Sequence, residues 1–225
     1  MNFDLLWLSL SVALLDWLAI FREWRKIETF AKPGVMLLLL AWLWSTGGVR
    51  GDLAWFALGL VFSLAGDVFL VLPKEQFIPG LISFLLAHLS YIAGFNRSLP
   101  PFNLASLSLL ILVGLTALRV VRAIVEGMEA TGHARLKGAV LAYTGIISLM
   151  LLSALLTLVR TEWLEENAWL VSAGAILFFI SDALLAWNKF VLPVRSGRLA
   201  VMVTYHSGQV LLILGAVLQV VKGIP

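Results

Sequence analysis

Apolar residues along this chain gather into eight runs of near-membrane length, at about 3–21, 33–46, 53–72, 77–95, 102–121, 138–159, 168–187 and 199–221. Spanning a hydrocarbon core of about 30 Å takes about 20 apolar residues, so each run predicts a transmembrane helix. The second run is short and the fifth has a blurred end. Between them stand brief segments with the usual breakers: Thr46-Gly47-Gly48, Leu72-Pro73-Lys74, Leu99-Pro100-Pro101, and Leu192-Pro193 with Ser196-Gly197. The pattern predicts an all-α polytopic membrane helix bundle of about eight helices, a single transmembrane domain over 1–225 with no separate soluble domain.

Composition supports that picture. The 225 residues are 61% hydrophobic and 13% charged, well above the roughly 45–50% apolar content of ordinary globular proteins. Met1-Asn2-Phe3-Asp4 carries no Lys or Arg, so the first apolar run is expected to be a retained helix rather than a cleaved leader. The absence of cysteine excludes disulfides, thiolate nucleophiles and cysteine-ligated metals. A net charge of +3 reflects short basic loops and carries no nucleic-acid signal. The first, third, fifth and seventh loops hold 4, 1, 4 and 3 of the 16 basic residues. By the positive-inside rule those loops are cytoplasmic and both termini non-cytoplasmic. A bacterial inner membrane is the expected setting.

Within this apolar background two carboxylates stand out, Asp67 in FSLAGDVFLVL and Asp182 in LFFISDALLAW. An acid near mid-bilayer costs roughly 2.5–3.5 kcal/mol on insertion scales, so each is a candidate site by default. Helices three and seven run in the same direction, and each Asp lies five residues before its expected helix end, at Leu72 and Trp187. Both therefore belong to one layer, roughly 7–8 Å inside the cytoplasmic helix ends. Their surroundings are loosely alike, Ser63 to Asp67 followed by Lys74 and Phe77, against Ser181-Asp182 followed by Lys189 and Phe190, which fits a weak parallel duplication.

Other polar residues converge on the same half. His88 and Tyr91 share one face of helix four, and Tyr205, His206 and Gln209 lie on helix eight. Tyr143 follows the start of helix six, Asp16 lies near the end of helix one, and Lys32-Pro33 is read as opening helix two, Pro33 in its first turn. This one-sided distribution predicts a pocket open to the cytoplasmic leaflet, whereas a channel or transporter more often shows polar residues through the full depth. Each residue also has a plainer reading. The Asp pair could be satisfied structurally by Tyr, His or backbone, and His88, His206, Tyr205 and Gln209 could be interhelical glue. Lys32 and Lys189 could be interfacial anchors, Asp16 could be interfacial, and the nine Trp are assigned to interface belts.

At these residues the chain resembles the YhhN family of membrane proteins, whose characterised animal members are lysoplasmalogenases. The family's small-polar GD element is similar to Ser63 through Asp67. Its F-x2-G-L followed by H-x2-Y resembles Phe77, Gly80, Leu81, His88 and Tyr91. Its SD element with a following K-F pair looks like Ser181, Asp182, Lys189 and Phe190, its Y-x3-Q like Tyr205 and Gln209, and its Lys-Pro like Lys32 and Pro33. The likeness runs from about helix two to helix eight. Helix one, the Arg119–Lys137 loop and His206 match no family element.

The resemblance implies hydrolysis of the vinyl ether bond of a lysoplasmalogen, or a related lysolipid, to a fatty aldehyde and a glycerophospho-base, without a cofactor. Protonation of the vinyl ether β-carbon gives an oxocarbenium ion, water captures it, and the hemiacetal collapses. Two carboxyls in a desolvated site can divide that work, one as acid and one ionised to stabilise the cation and activate water, as in glycosidases by analogy. Asp67 and Asp182 are the expected catalytic pair, with the roles open between them. Lys32, His88, Tyr91, Tyr143, Ser181, Lys189, Tyr205 and Gln209 are the expected orienting and substrate-binding set, Lys32 and Lys189 meeting the lipid phosphate. No metal is assigned. Two other readings stay open: a metal-dependent lipid hydrolase using Asp67, His88, Asp182 and His206, and a non-enzymatic lipid or amphiphile carrier with the Asp pair as a proton-linked gate.

Overall fold

The computed structural model describes residues 2–72 and 76–222; Met1, Pro73, Lys74 and Pro225 lie outside the described residues. Eight helices follow in order: α1 (Asp4–Phe21), α2 (Arg25–Gly47), α3 (Leu53–Val71), α4 (Phe77–Phe95), α5 (Leu104–Ala130), α6 (Lys137–Leu155), α7 (Glu165–Phe190) and α8 (Gly197–Lys222). A 3-10 turn leads into α6, and another, Leu156–Val159, prolongs it. All eight helices are long and apolar enough to cross a membrane, and no strand occurs among the described residues. The protein is the all-α membrane bundle that its apolar runs predict.

Where a helix end departs from its apolar run by three residues or more, with the 3-10 turn counted with α6, it extends outward. In the interfacial zone a helix needs no apolar residues, so polar turns extend the spans. Helix α2 begins at Arg25 rather than 33, and Pro33 lies inside it, two turns from the start, instead of opening it. A proline there removes one backbone hydrogen bond, a defect that neighbouring helices in a bundle can compensate. Helix α5 continues to Ala130, so most of the expected Arg119–Lys137 loop is helical, and α7 runs to Phe190, one turn past Trp187.

Consecutive helices joined by short connections pack as the hairpins α1/α2, α3/α4 and α7/α8. Helix α8 is central, meeting α1, α2 and α3 as well as α7. The α7/α8 seam is its tightest contact: a Cβ on Gly174 would come within 2.7 Å of the Gly208 carbonyl, and one on Gly208 within 2.9 Å of the Gly174 carbonyl. Small residues at that crossing let two backbones touch, which is how helices gain dispersion energy where lipid removes the hydrophobic drive. Helix α5 is peripheral. It leans on α6 and α7 and turns Leu110, Ile111, Leu112 and Leu115 outward.

Asp16, in the second half of α1, is fully buried. Trp7, Trp44 and Trp169 are exposed, whereas Trp42 is fully buried and donates to the Asn2 carbonyl at 3.1 Å.

Candidate active site

Asp67 projects from the last two turns of α3 and is completely buried. Lys32, in the first half of α2, reaches it with Nζ 3.3 Å from Oδ1, and the Tyr205 hydroxyl of α8 donates to Oδ2 at 2.9 Å. Lys32 is thus not an exposed anchor; it is buried and ion-paired. A carboxylate and an ammonium removed from water together are tolerable only because each neutralises the other and a hydroxyl meets a second lone pair.

Asp182 sits on α7 with different company. Its Oδ2 accepts a short hydrogen bond from the Tyr143 hydroxyl of α6 and lies 3.2 Å from His88 Nε2 of α4, while His88 Nε2 and Tyr143 Oη are 3.0 Å apart. Phe178 packs against the imidazole, fixing the ring. Unlike Asp67, the Asp182 side chain retains 11% exposure.

One level deeper, the Tyr91 hydroxyl donates to Gln209 Oε1 at 2.8 Å, and Gln209 Nε2 donates to Ser63 Oγ at 2.8 Å. Ser63 and Asp67 are four apart on α3, as are Tyr205 and Gln209 on α8, so the two helices are clamped by consecutive rungs. Ser181 Oγ donates to the Val201 carbonyl at 3.0 Å, joining α7 to α8 beside Asp182.

Both acids line one cavity of about 660 Å³, with Lys32, Ser181 and Tyr205 on its walls and Arg25, Glu28 and Arg198 at its charged end. A narrow apolar cleft of about 50 Å³ adjoins it, sharing Leu70, Phe84, Asp182 and Leu185 and continuing past Tyr143 to Ile124 and Ile147. Asp182 stands where polar cavity meets apolar cleft. Lys189 is placed elsewhere: its ammonium lies 4.4 Å from the centre of the Phe77 ring.

A third cavity, of about 700 Å³, lies at the opposite end of the bundle. There Arg160 donates to the Phe95 carbonyl at 2.5 Å and to Asn96 Oδ1 at 2.8 Å, and burial pushes its guanidinium below its ordinary pKa. Those bonds tie the end of α4 to the connection before α7.

The four residues weighed as metal ligands are not brought together. His88 faces Asp182, whereas His206 lies against α1, where Trp17 Nε1 donates to its Nδ1 at 3.1 Å and Asp16 Oδ2 is 4.0 Å away. Among the described residues, no three His, Asp or Glu side chains converge as metal ligands. Arg25, Glu28 and Arg198 were not anticipated from the sequence, because charged residues beyond the apolar runs read as loop.

With this geometry, comparison with known proteins is informative. The YhhN family pattern matches residues 27–216. The chain belongs to the YhhN family. It is 32% identical over 212 residues to lysoplasmalogenase TMEM86B of Mus musculus, covering 93% of this chain and 83% of the mouse protein. Against human lysoplasmalogenase TMEM86A the identity is 33% over 161 residues, covering 71% and 63%. Against the lysoplasmalogenase of Mycobacterium tuberculosis it is 27% over 184 residues, covering 80% and 67%. No solved structure matches. The family resemblance carried by the GD, H-x2-Y, SD and Y-x3-Q elements is therefore borne out, and with it membership of an enzyme family of hydrolases.

Proposed function

We propose that this YhhN-family protein is a lysoplasmalogenase, hydrolysing the vinyl ether bond of a lysoplasmalogen to a fatty aldehyde and a glycerophospho-base inside a membrane bundle. The observation that carries the mechanism is the unlike setting of two carboxyls on one cavity wall. Asp67 is ion-paired with Lys32 and sealed from solvent, and Asp182 is partly open where the cavity meets the apolar cleft.

The substrate's glycerophosphate lies in the polar cavity and its chain leaves by way of the cleft, which brings the vinyl ether beside Asp182. Asp182 carries the proton on its cavity-facing oxygen and delivers it to the β-carbon, forming a C–H bond as the C=C pair shifts to give the oxocarbenium ion. Asp67, paired with Lys32, stabilises that cation through a low-dielectric medium. Water adds to the α-carbon and its proton goes to Asp182, now a carboxylate, which restores the acid. The hemiacetal then releases the glycerol oxygen with a proton, leaving the aldehyde. One water is consumed and no proton is lost. Tyr143 and His88 hold Asp182 in place throughout, and Tyr205 holds Asp67.

The basic residues of the odd connections support an orientation in a bacterial inner membrane with both termini non-cytoplasmic and the cavity toward the cytoplasmic leaflet. The test of function is aldehyde release from a choline or ethanolamine lysoplasmalogen by detergent-purified protein, with Asp67→Asn and Asp182→Asn beside it. Release by wild type and loss in both folded variants is expected. A folded wild-type protein that releases no aldehyde would overturn the reading.

A further inference from the structure

Apart from the reacting pair, the charged lining of the catalytic cavity is concentrated at one end. Arg25, Glu28, Thr29 and Lys32 occupy one face of α2, spaced three, four and seven apart, and Arg198 joins them from the first turn of α8. Lys32 is committed to Asp67 deeper inside. At the mouth that leaves two guanidinium groups and one carboxylate, Glu28, the sole lining carboxylate other than the Asp pair among the described residues.

Glu28 and Arg198 are bonded to each other through Oε1 and Nη2, with Glu28 mostly covered at 13% exposure and Arg198 half open at 49%. An ion pair with one solvated partner is weak and exchanges readily. A ligand carrying both a phosphate and an ammonium can replace it without leaving any charge unpaired: its phosphate takes the place of Glu28 at Arg198, and its ammonium takes the place of Arg198 at Glu28. A ligand with phosphate alone would confront the Glu28 carboxylate.

We propose that Arg25, Glu28 and Arg198 form a recognition site for a zwitterionic phospho-ammonium headgroup, with the Arg198–Glu28 pair exchanging partners on binding. The proposal rests on the lysolipid reading above and names the determinant of its headgroup class. Guanidinium forks suit bidentate phosphate binding, and the polar end is continuous with the cavity holding Asp182. Headgroup, scissile bond and chain thus fall in sequence along connected cavities.

The test compares wild type and Glu28→Gln on two vinyl ether lipids of the same chain, the choline lysoplasmalogen and the alkenyl lysophosphatidate that lacks the ammonium. Glu28→Gln is expected to lower kcat/KM for the choline lipid about tenfold, the worth of one charge-assisted contact, through KM. For the lysophosphatidate it should raise kcat/KM by removing repulsion, and Arg198→Gln should lower both. Equal loss on both lipids after Glu28→Gln, as a merely structural pair would give, overturns the proposal, and so does no loss on either. Binding of the uncleavable alkyl-ether lysophosphocholine is measured alongside. A tenfold weaker affinity in Glu28→Gln supports the headgroup site even if no aldehyde is ever released, and unchanged affinity refutes it.

Discussion

Asp67 and Asp182 occupy matching places in the two halves of the chain, each on the third helix of four, and each is held by one residue from its own half and one from the other. Lys32 of α2 and Tyr205 of α8 hold Asp67; Tyr143 of α6 and His88 of α4 hold Asp182. The positional match stops at chemistry. Where the first half supplies an ammonium, the second supplies a phenol, and where α8 contributes a tyrosine, α4 contributes an imidazole. An ammonium is paired with the Asp67 carboxyl, whereas a phenol and an imidazole face that of Asp182. On the mechanism proposed above, similar scaffolding with dissimilar partners divides the work, one carboxyl an electrostatic stabiliser and the other an acid.

That contrast can be broken most severely at Asp182. Asp182→Asn removes the proposed proton donor, and a loss of about 10³-fold or more in kcat is expected in aldehyde-release assays, within the range of general acid–base contributions. On the same proposal Asp67→Asn removes only charge stabilisation, so a loss of about 10²- to 10³-fold is expected with KM little changed. Equal residual rates in the two variants would argue against divided roles.

Stability should rank the pair in the reverse order. Lys32→Met strands a buried carboxylate, which typically destabilises by about 3–5 kcal/mol, read as a large fall in Tm in detergent. Tyr143→Phe leaves Asp182 with His88 and some solvent, so about 1–2 kcal/mol is expected, accompanied by a loss of activity larger than the loss of stability would suggest. A Tyr143→Phe protein as unstable as Lys32→Met would remove the distinction between a sealed and an open acid.

The smallest expected effect lies one rung deeper. Tyr91→Phe deletes the hydrogen bond to Gln209 but keeps the ring against Phe56, and about 1 kcal/mol of destabilisation with near-normal kcat should follow. A collapse of activity there would extend the reacting site beyond the two acids.

Much of this was legible before any coordinates. Eight apolar runs gave eight helices because lipid leaves a spanning chain no other way to satisfy its backbone. The two acids could be singled out because hydrocarbon makes carboxylates costly, so their presence at similar depth needed a reason. Helix ends were less legible. Past the hydrocarbon core polar residues are cheap, so Arg25 to Thr29 read as a loop although they continue α2 and carry part of the cavity mouth. For the same reason Asp16 and Lys32 seemed interfacial, yet packing by α8 and its neighbours encloses both.

By itself, then, the sequence determined a helical membrane bundle, the places of its two carboxylates along their helices and the family to which it belongs, since these follow from local hydropathy and from residue spacing along single helices. Which side chains meet across helices was decided only by the tertiary structure. Lys32 and Tyr205 converge on Asp67 from positions 35 residues before it and 138 after it, and no helical period links them. Their meeting depends on the rotation and crossing of α2, α3 and α8, fixed by close glycine contacts and interhelical hydrogen bonds rather than by any one segment's own preferences.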